Sequence, residues 1–299
     1  MNDLHAPQDN KKLTLLDGLV MAAVLAVGGY IAYRLFYALD YRWNWPVIFT
    51  YLVRFDPEKQ HWVANVLLEG FFTTLRLSFW GMLIAIALGS VMGMMRVSRR
   101  LLFRLIGLSY VECIRNTPPL VLVFLFYYFV SDQILPSLGI EAFFRSASPG
   151  VQHWLAIPFA RPELISPFLS GVLTIGLFQG AYITEIVRAG IEAITAGQWE
   201  AAKALGLTRH QQLRFIIVPQ AARIMLPSLA NEFINTIKYS SIVSIISIQE
   251  LTFQGLQVMA STQASIEIWL TITLMYLLVC LALSLAVGRL ENHLAQKGR

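Results

Sequence analysis

The chain has 299 residues, of which 56% are hydrophobic and only 14% charged, and its mean hydropathy is +0.59. Soluble domains carry about 25% charged residues, so this composition excludes an ordinary soluble domain and points to a membrane protein. The formal charge of +5 does not argue for nucleic acid, because the basic residues cluster in short connections between apolar runs, where topogenic residues sit.

Lys11 and Lys12 precede an apolar run from Leu13 to Leu39, interrupted by Asp17 and Arg34. The run exceeds the roughly 7–15 residues of a signal h-region and no small-x-small cleavage site follows, so it reads as a retained helix. Six spans are predicted in chain order: 14–37, 66–95, 117–135, 165–187, 221–246 and 267–288. Tyr41, Trp43, Trp45, Tyr51 and Trp62 suit an interfacial belt in the first outer connection. The loop at 136–165 holds Pro136, Pro149, Pro158 and Pro162. It reads as irregular structure with room for a short surface helix.

Basic residues set the orientation. With a cytoplasmic N-terminus, the inner segments hold Lys11, Lys12, Arg96, Arg99, Arg100, Arg104, Arg188, Lys203, Arg209, Arg214, Arg223, Arg289, Lys297 and Arg299. The outer ones hold only Arg34, Arg42, Arg54, Lys59, Arg145 and Arg161. Both termini are therefore expected inside. Cys113 and Cys280 lie in or beside apolar spans and give no disulfide framework. The five histidines are scattered, so no metal or cofactor is expected.

The inner loop between the fourth and fifth spans reads QWEAAKALGLTRHQQLRFIIVP over 198–219. Thr195 followed by Gln198 is a capping-box pattern that starts a helix near Ala196, and Gly206 is placed to end it in the left-handed conformation. Thr208 and Gln211 repeat the pattern for a second helix, expected to stop before Pro219. The predicted pair is roughly 196–205 and 209–217. Trp199, Ala202 and Leu205 share a face that fits a partner's groove or the lipid interface; spacing alone leaves both open.

Glu200-Ala201-Ala202, three residues, Gly206, nine residues, then Ile216-Ile217-Val218-Pro219 resembles the EAA motif of bacterial ABC importer permeases, with Val218 in place of leucine. Gly70-Phe71-Phe72-Thr73-Thr74-Leu75, Arg115-Asn116-Thr117-Pro118, Ala181-Tyr182-Ile183-Thr184-Glu185-Ile186-Val187-Arg188, Gly197-Gln198 and Asn231-Glu232-Phe233-Ile234 resemble the polar amino acid uptake branch, which includes permeases for histidine, glutamine, arginine and glutamate. The resemblance covers about 66–290. It implies an all-α polytopic membrane protein of the type I importer permease fold, with one extra N-terminal helix. It implies an N-terminal extension (1–65), a permease domain (66–290) and a cytoplasmic tail (291–299).

It further implies that Glu200, Ala201, Ala202, Gly206, Ile216 and Pro219 form a coupling helix that docks on a cytoplasmic ATPase dimer. The expected setting is the bacterial inner membrane, with lipid, an external amino acid-binding protein and a second permease subunit as partners. No Walker A pattern occurs in the chain, so ATP hydrolysis is left to the separate ATPase.

Asn231, Asn235, Lys238 and Ser241 fall on one face of the fifth span. They form a candidate substrate path near the midplane; alternatively Lys238 snorkels, or pairs with Glu232. Glu185, Arg188 and Glu192 are spaced to pair where the fourth span meets the cytoplasm, and Glu112 with Arg115 repeats the spacing before the third. There Thr117 is read as a helix N-cap with Pro118 at the first helical position. These pairs are either structural or gate latches. Gly81, Gly89 and Gly93 in the second span, and Gly171, Gly176 and Gly180 in the fourth, are expected to let helices approach closely.

The sequence departs from the branch at two places. Leu120-Val121-Leu122-Val123 lacks the glutamine common after the Thr-Pro helix start, and Lys238-Tyr239-Ser240-Ser241 stands where Lys-Asp-Thr-Ser is common. The rival reading, a self-sufficient secondary transporter or channel, accounts for the polar stripe but not for the helix pair in the loop.

Overall fold

The computed structural model describes residues 15–34, 41, 43–58, 60–129 and 133–297. Lys11, Lys12, Arg42, Lys59 and Arg299 of the charge pattern, His5, and residues 14, 35–37 and 130–132 of the predicted spans lie outside the described residues. The chain divides into two compact units, 1–44 and 45–299. The first contains α1 (Leu15–Tyr33), which is apolar almost all round apart from Asp17.

The second unit opens with α2 (Pro46–Leu52) and an antiparallel hairpin of β1 (Val53–Asp56) and β2 (His61–Ala64). Sequence alone gives only an outer connection with interfacial aromatics here. The long helix α3 (Val66–Arg96) is capped by the Asn65 side chain, which accepts from the Val66 amide. Next come α4 (Leu101–Arg115) and α5 (Pro119–Phe129). The proline-rich loop folds into α6 (Ile140–Ser146) and α7 (Pro149–Ala156), two helices where one was allowed for. They are followed by α8 (Ile165–Glu192), α9 (Ala196–Ala204), α10 (Arg209–Gln211), a π-helical turn (Gln212–Ile217) and α11 (Val218–Tyr239). A 3-10 helix (Ser240–Ile246) extends α11, and α12 (Leu251–Thr262) and α13 (Ser265–Lys297) complete the unit. Among the described residues four helical stretches are long and apolar enough to cross a membrane: Val66–Arg96, Pro162–Glu192, Arg209–Ile246 and Ser265–Arg289; Leu15–Ile31 and Pro119–Phe129 are shorter apolar helices.

The predicted third span needs correction. Thr117 does not cap α5; its hydroxyl donates back to the Cys113 carbonyl at 2.7 Å and closes α4. The helix restarts at Pro119, one residue later than expected, because Pro118 itself precedes a proline and is pushed out of the α region, leaving it as the cap whose carbonyl accepts from Leu122. The Arg100–Arg104 stretch, read as connection, is the amphipathic start of α4.

The spine of the fold is α3 against α8. A Cβ built on Gly81 would sit 2.7 Å from Ile175 Cγ2, on Gly89 2.7 Å from Ile183 Cβ, and on Gly93 2.6 Å from Val187 Cβ. Only glycine permits this approach. The partner numbers rise together, so α3 and α8 run parallel. On the other face of α8, Gly190 meets Met225 while Gln179 meets Thr236, so α11 runs antiparallel to α8. Buried carboxylate Glu250 caps α12 by accepting from the Phe253 amide at 2.8 Å, and also takes hydrogen bonds from Thr74 (3.2 Å) and Tyr276 (2.9 Å). It thereby ties α12 to α3 and α13, a junction absent from the sequence reading.

Candidate coupling and translocation sites

The segment after α8 is a helix, a left-handed turn and a second helical start. Gly206 has φ +74°. The Leu207 amide donates to the Ala202 carbonyl and the Gly206 amide to Lys203, the paired bonds of a Schellman ending. Thr208 and Gln211 form the reciprocal capping box. Thr195 does not cap α9 with its side chain. Gln198 instead accepts from Gln220 Nε2 at 3.1 Å, which ties α9 to the start of α11.

Two further expectations change. The second helix does not stop before Pro219: Val218 is helical (φ −61°, ψ −41°) and the backbone passes through a π-turn into α11. A π-turn shifts the amide–carbonyl ladder, so the missing N–H of Pro219 falls where that ladder is already interrupted. Trp199 and Ala202 do not form an outward face with Leu205. Ala202 is 2% exposed, and Trp199 packs inward beneath the Arg209 guanidinium, 3.7 Å from its ring centroid. The face left open carries Glu200, Ala201 and Leu205, with Leu205 75% exposed. Of the other motif residues, Gly206 and Pro219 are exposed and Ile216 is half-buried.

Beside this segment Arg188 bonds Glu185 at 2.9 Å and also Glu192, as the spacing required. Arg96, at the end of α3, adds an ionic contact to Glu185 at 3.3 Å. The predicted Glu112–Arg115 pair is not formed. Glu112 accepts from Asn116 Nδ2 at 2.6 Å, and Arg115 lies over the Tyr182 ring at 5.4 Å.

On α11, Asn231 and Lys238 are exposed and Asn235 and Ser241 half-buried. Ser241 donates to the Lys238 carbonyl at 2.7 Å. Among the described residues Lys238 makes no ion pair with Glu232. Glu232 is buried and held by Gln179 Nε2 at 3.0 Å and Asn235 Nδ2 at 3.4 Å, while the same Gln179 amide reaches Thr236 Oγ1 at 2.9 Å. The stripe thus rests on a buried polar lock between α8 and α11. The sequence reading missed Gln179, although a glutamine inside an apolar run was the available signal. The Arg96–Glu185 contact had no signal, since nothing local links the two positions.

Residues 81–296 match the family described as binding-protein-dependent transport system inner membrane component. The glutamine transport system permease protein GlnP of Escherichia coli (strain K12) is 34% identical over 77% of this chain and 93% of its own length. The glutamate/aspartate import permease protein GltJ of the same strain is 29% identical over 86% of this chain and 96% of its own. A crystal structure of an amino acid ABC transporter with histidines superposes with a TM-score of 0.61 at 31% identity, over 76% of this chain and 94% of that one. With the family model matching most of its length, the chain belongs to the family of binding-protein-dependent transport system inner membrane components.

Proposed function

We propose that this chain is a membrane subunit of an ATP-driven importer for a polar amino acid, and that it grips its ATPase through α9. The observation that carries this reading is the open Glu200–Ala201–Leu205 face, held rigid by the Schellman ending at Gly206, the Thr208–Gln211 capping box and the Trp199–Arg209 contact. Moving a gate from mostly closed to mostly open takes about 5.5 kcal/mol of differential binding. A lever that bent under load would not transmit it. Glu200, Ala201, Ala202 and Gly206 shape the docking helix, and Ile216 and Pro219 join it to α11.

Six spans follow if α1 crosses alone and α4 with α5 forms one broken crossing. The parallel run of α3 and α8 supports the second point, because two parallel spans need an odd number of crossings between them. Both termini then face the cytoplasm of the inner membrane. A second permease subunit completes the path, along which Asn231, Asn235, Lys238 and Ser241 face the substrate. An external binding protein delivers the amino acid. Arg96, Glu185 and Arg188 latch the inner end, and Glu112 and Arg115 act through Asn116 and Tyr182.

Glu200→Lys tests the reading. The variant is expected to fold and reach the membrane, yet to lose ATPase co-purification and amino acid uptake. Retention of both at wild-type levels would sink the assignment.

A further inference from the structure

A cavity of about 240 Å³ opens where the first turns of α3 meet the end of α7, the start of α8 and the turn at 247–249. It lies at the end of α3 opposite Arg96, and so away from the coupling segment. Glu69, Phe72, Thr73 and Arg76 reach it from one face of α3.

Its polar lining is unbalanced. At the rim, Glu69 pairs with Arg161 at 2.8 Å. Deeper, Arg76 is fixed by neutral acceptors: Nη1 donates to the Ala156 and Phe159 carbonyls, both at 2.9 Å, Nε to the Phe72 carbonyl at 3.2 Å and Nη2 to Thr73 Oγ1 at 3.3 Å. No carboxylate among the described residues forms an ion pair with it. The cavity therefore holds two guanidinium groups against one carboxylate. Gln249 and Gln254 also line it, and their side-chain amides make no hydrogen bond among the described residues. Phe72, Phe168 and Ile248 supply apolar wall.

An immobile, partly buried guanidinium with no carboxylate in ion-pair contact, beside a second guanidinium that already engages the one nearby carboxylate, favours a bound anion. The single carboxylate beside it favours an ammonium on the same ligand and disfavours a dianion such as phosphate. Apolar walls with a few convergent polar groups are the ordinary make-up of a small-molecule site. We propose that this outer cavity binds a free polar α-amino acid, its α-carboxylate toward Arg76 and Arg161, its ammonium toward Glu69, and its side chain within reach of Gln249 and Gln254. The site deepens the importer reading and rests on it. It is separate from the Asn231–Ser241 stripe, as a holding place on the outer side.

The test uses the assembled complex, with its ATPase and second permease subunit, in nanodiscs without the external binding protein. Binding of radiolabelled L-glutamine and L-glutamate is measured for wild type, Glu69→Gln, Gln249→Leu and Arg145→Gln. At least one of the two amino acids should bind wild type, and its affinity should fall about tenfold or more in the first two variants. Arg145→Gln, which removes an exposed cation outside the cavity lining, should leave it unchanged. 4-Aminobutanamide, which lacks the α-carboxylate, should not compete. Absence of binding to wild type, equal binding by all four proteins, or a co-purified lipid whose retention depends on Glu69 would each overturn the proposal. ATP-driven uptake with saturating binding protein is measured in parallel. Normal uptake with no cavity binding removes this site and leaves the importer reading standing, whereas absent uptake removes the importer reading itself.

Discussion

The α3–α8 seam and the segment from α9 into α11 are both tight, but by different means. In the seam, glycines bring two backbones within van der Waals distance. The polar side chains there turn back on their own helix, as Thr184 does to the Gly180 carbonyl and Ser78 to Thr74. Between α9 and α11 the joints are polar and partly exposed: Gln198 to Gln220, Gln212 to the Leu207 carbonyl, and Trp199 under Arg209. The backbone there passes from α to left-handed to π within a dozen residues, and α11 carries Pro227 inside it. A dry, interlocked interface has no neighbouring arrangement to move to. The π-turn at Gln212–Ile217 interrupts the amide–carbonyl ladder after the capped pair, so the local site for bending lies between that pair and α11, not within α9.

The strongest way to break this contrast is in the seam. Gly89→Leu drives its Cβ into Ile183 and within 2.9 Å of the Gly180 carbonyl. It should cost about 3 kcal/mol or more and abolish a monodisperse complex in size-exclusion chromatography; a wild-type yield would mean the seam is not close-packed. In the segment from α9 into α11, Gly206→Val forces a β-branched residue to φ +74°, at about 1–2 kcal/mol. The complex should assemble while uptake falls roughly tenfold. Loss of assembly instead would make the turn part of the scaffold. Thr208→Ala removes the capping box and about 1 kcal/mol. Hydrogen exchange should rise over 208–217 and stay unchanged in α3 and α8.

The smallest effect is expected at α6, which belongs to neither region. Hydrogen bonds from Ser166 and then Arg145 hold the Glu141 carboxyl below its ordinary range. Its contribution is present above the unfolded carboxylate range and is lost as pH falls through the lowered folded value. Because the Glu141 side chain is about half exposed, solvent screens much of it. Ser166→Ala should raise that titration with almost no change in thermal stability, and a large change would mean the pair carries structural load.

Local chemistry explains which features were readable in advance. The left-handed Gly206, the Thr208–Gln211 box and the Glu185–Arg188–Glu192 row depend on residues within one or two turns of each other. The glycine stripes announced close packing, although not between which helices. The Thr195 cap, the halt before Pro219 and the Glu112–Arg115 pair failed because each local rule met a stronger competitor: Gln220, the π-turn, and Asn116 with Tyr182.

The apolar runs, their caps and the EAA spacing determined by themselves that this chain is a helical membrane protein with a protruding helix pair, because those signals are short-range and repeat with the helical period. Only the tertiary structure decided that α3 runs parallel to α8, that Ala202 faces inward, that Gln179 locks Glu232, and that Glu69, Arg76 and Arg161 surround one cavity. Those facts depend on which distant segments meet, and the order of residues along one helix does not encode its neighbour.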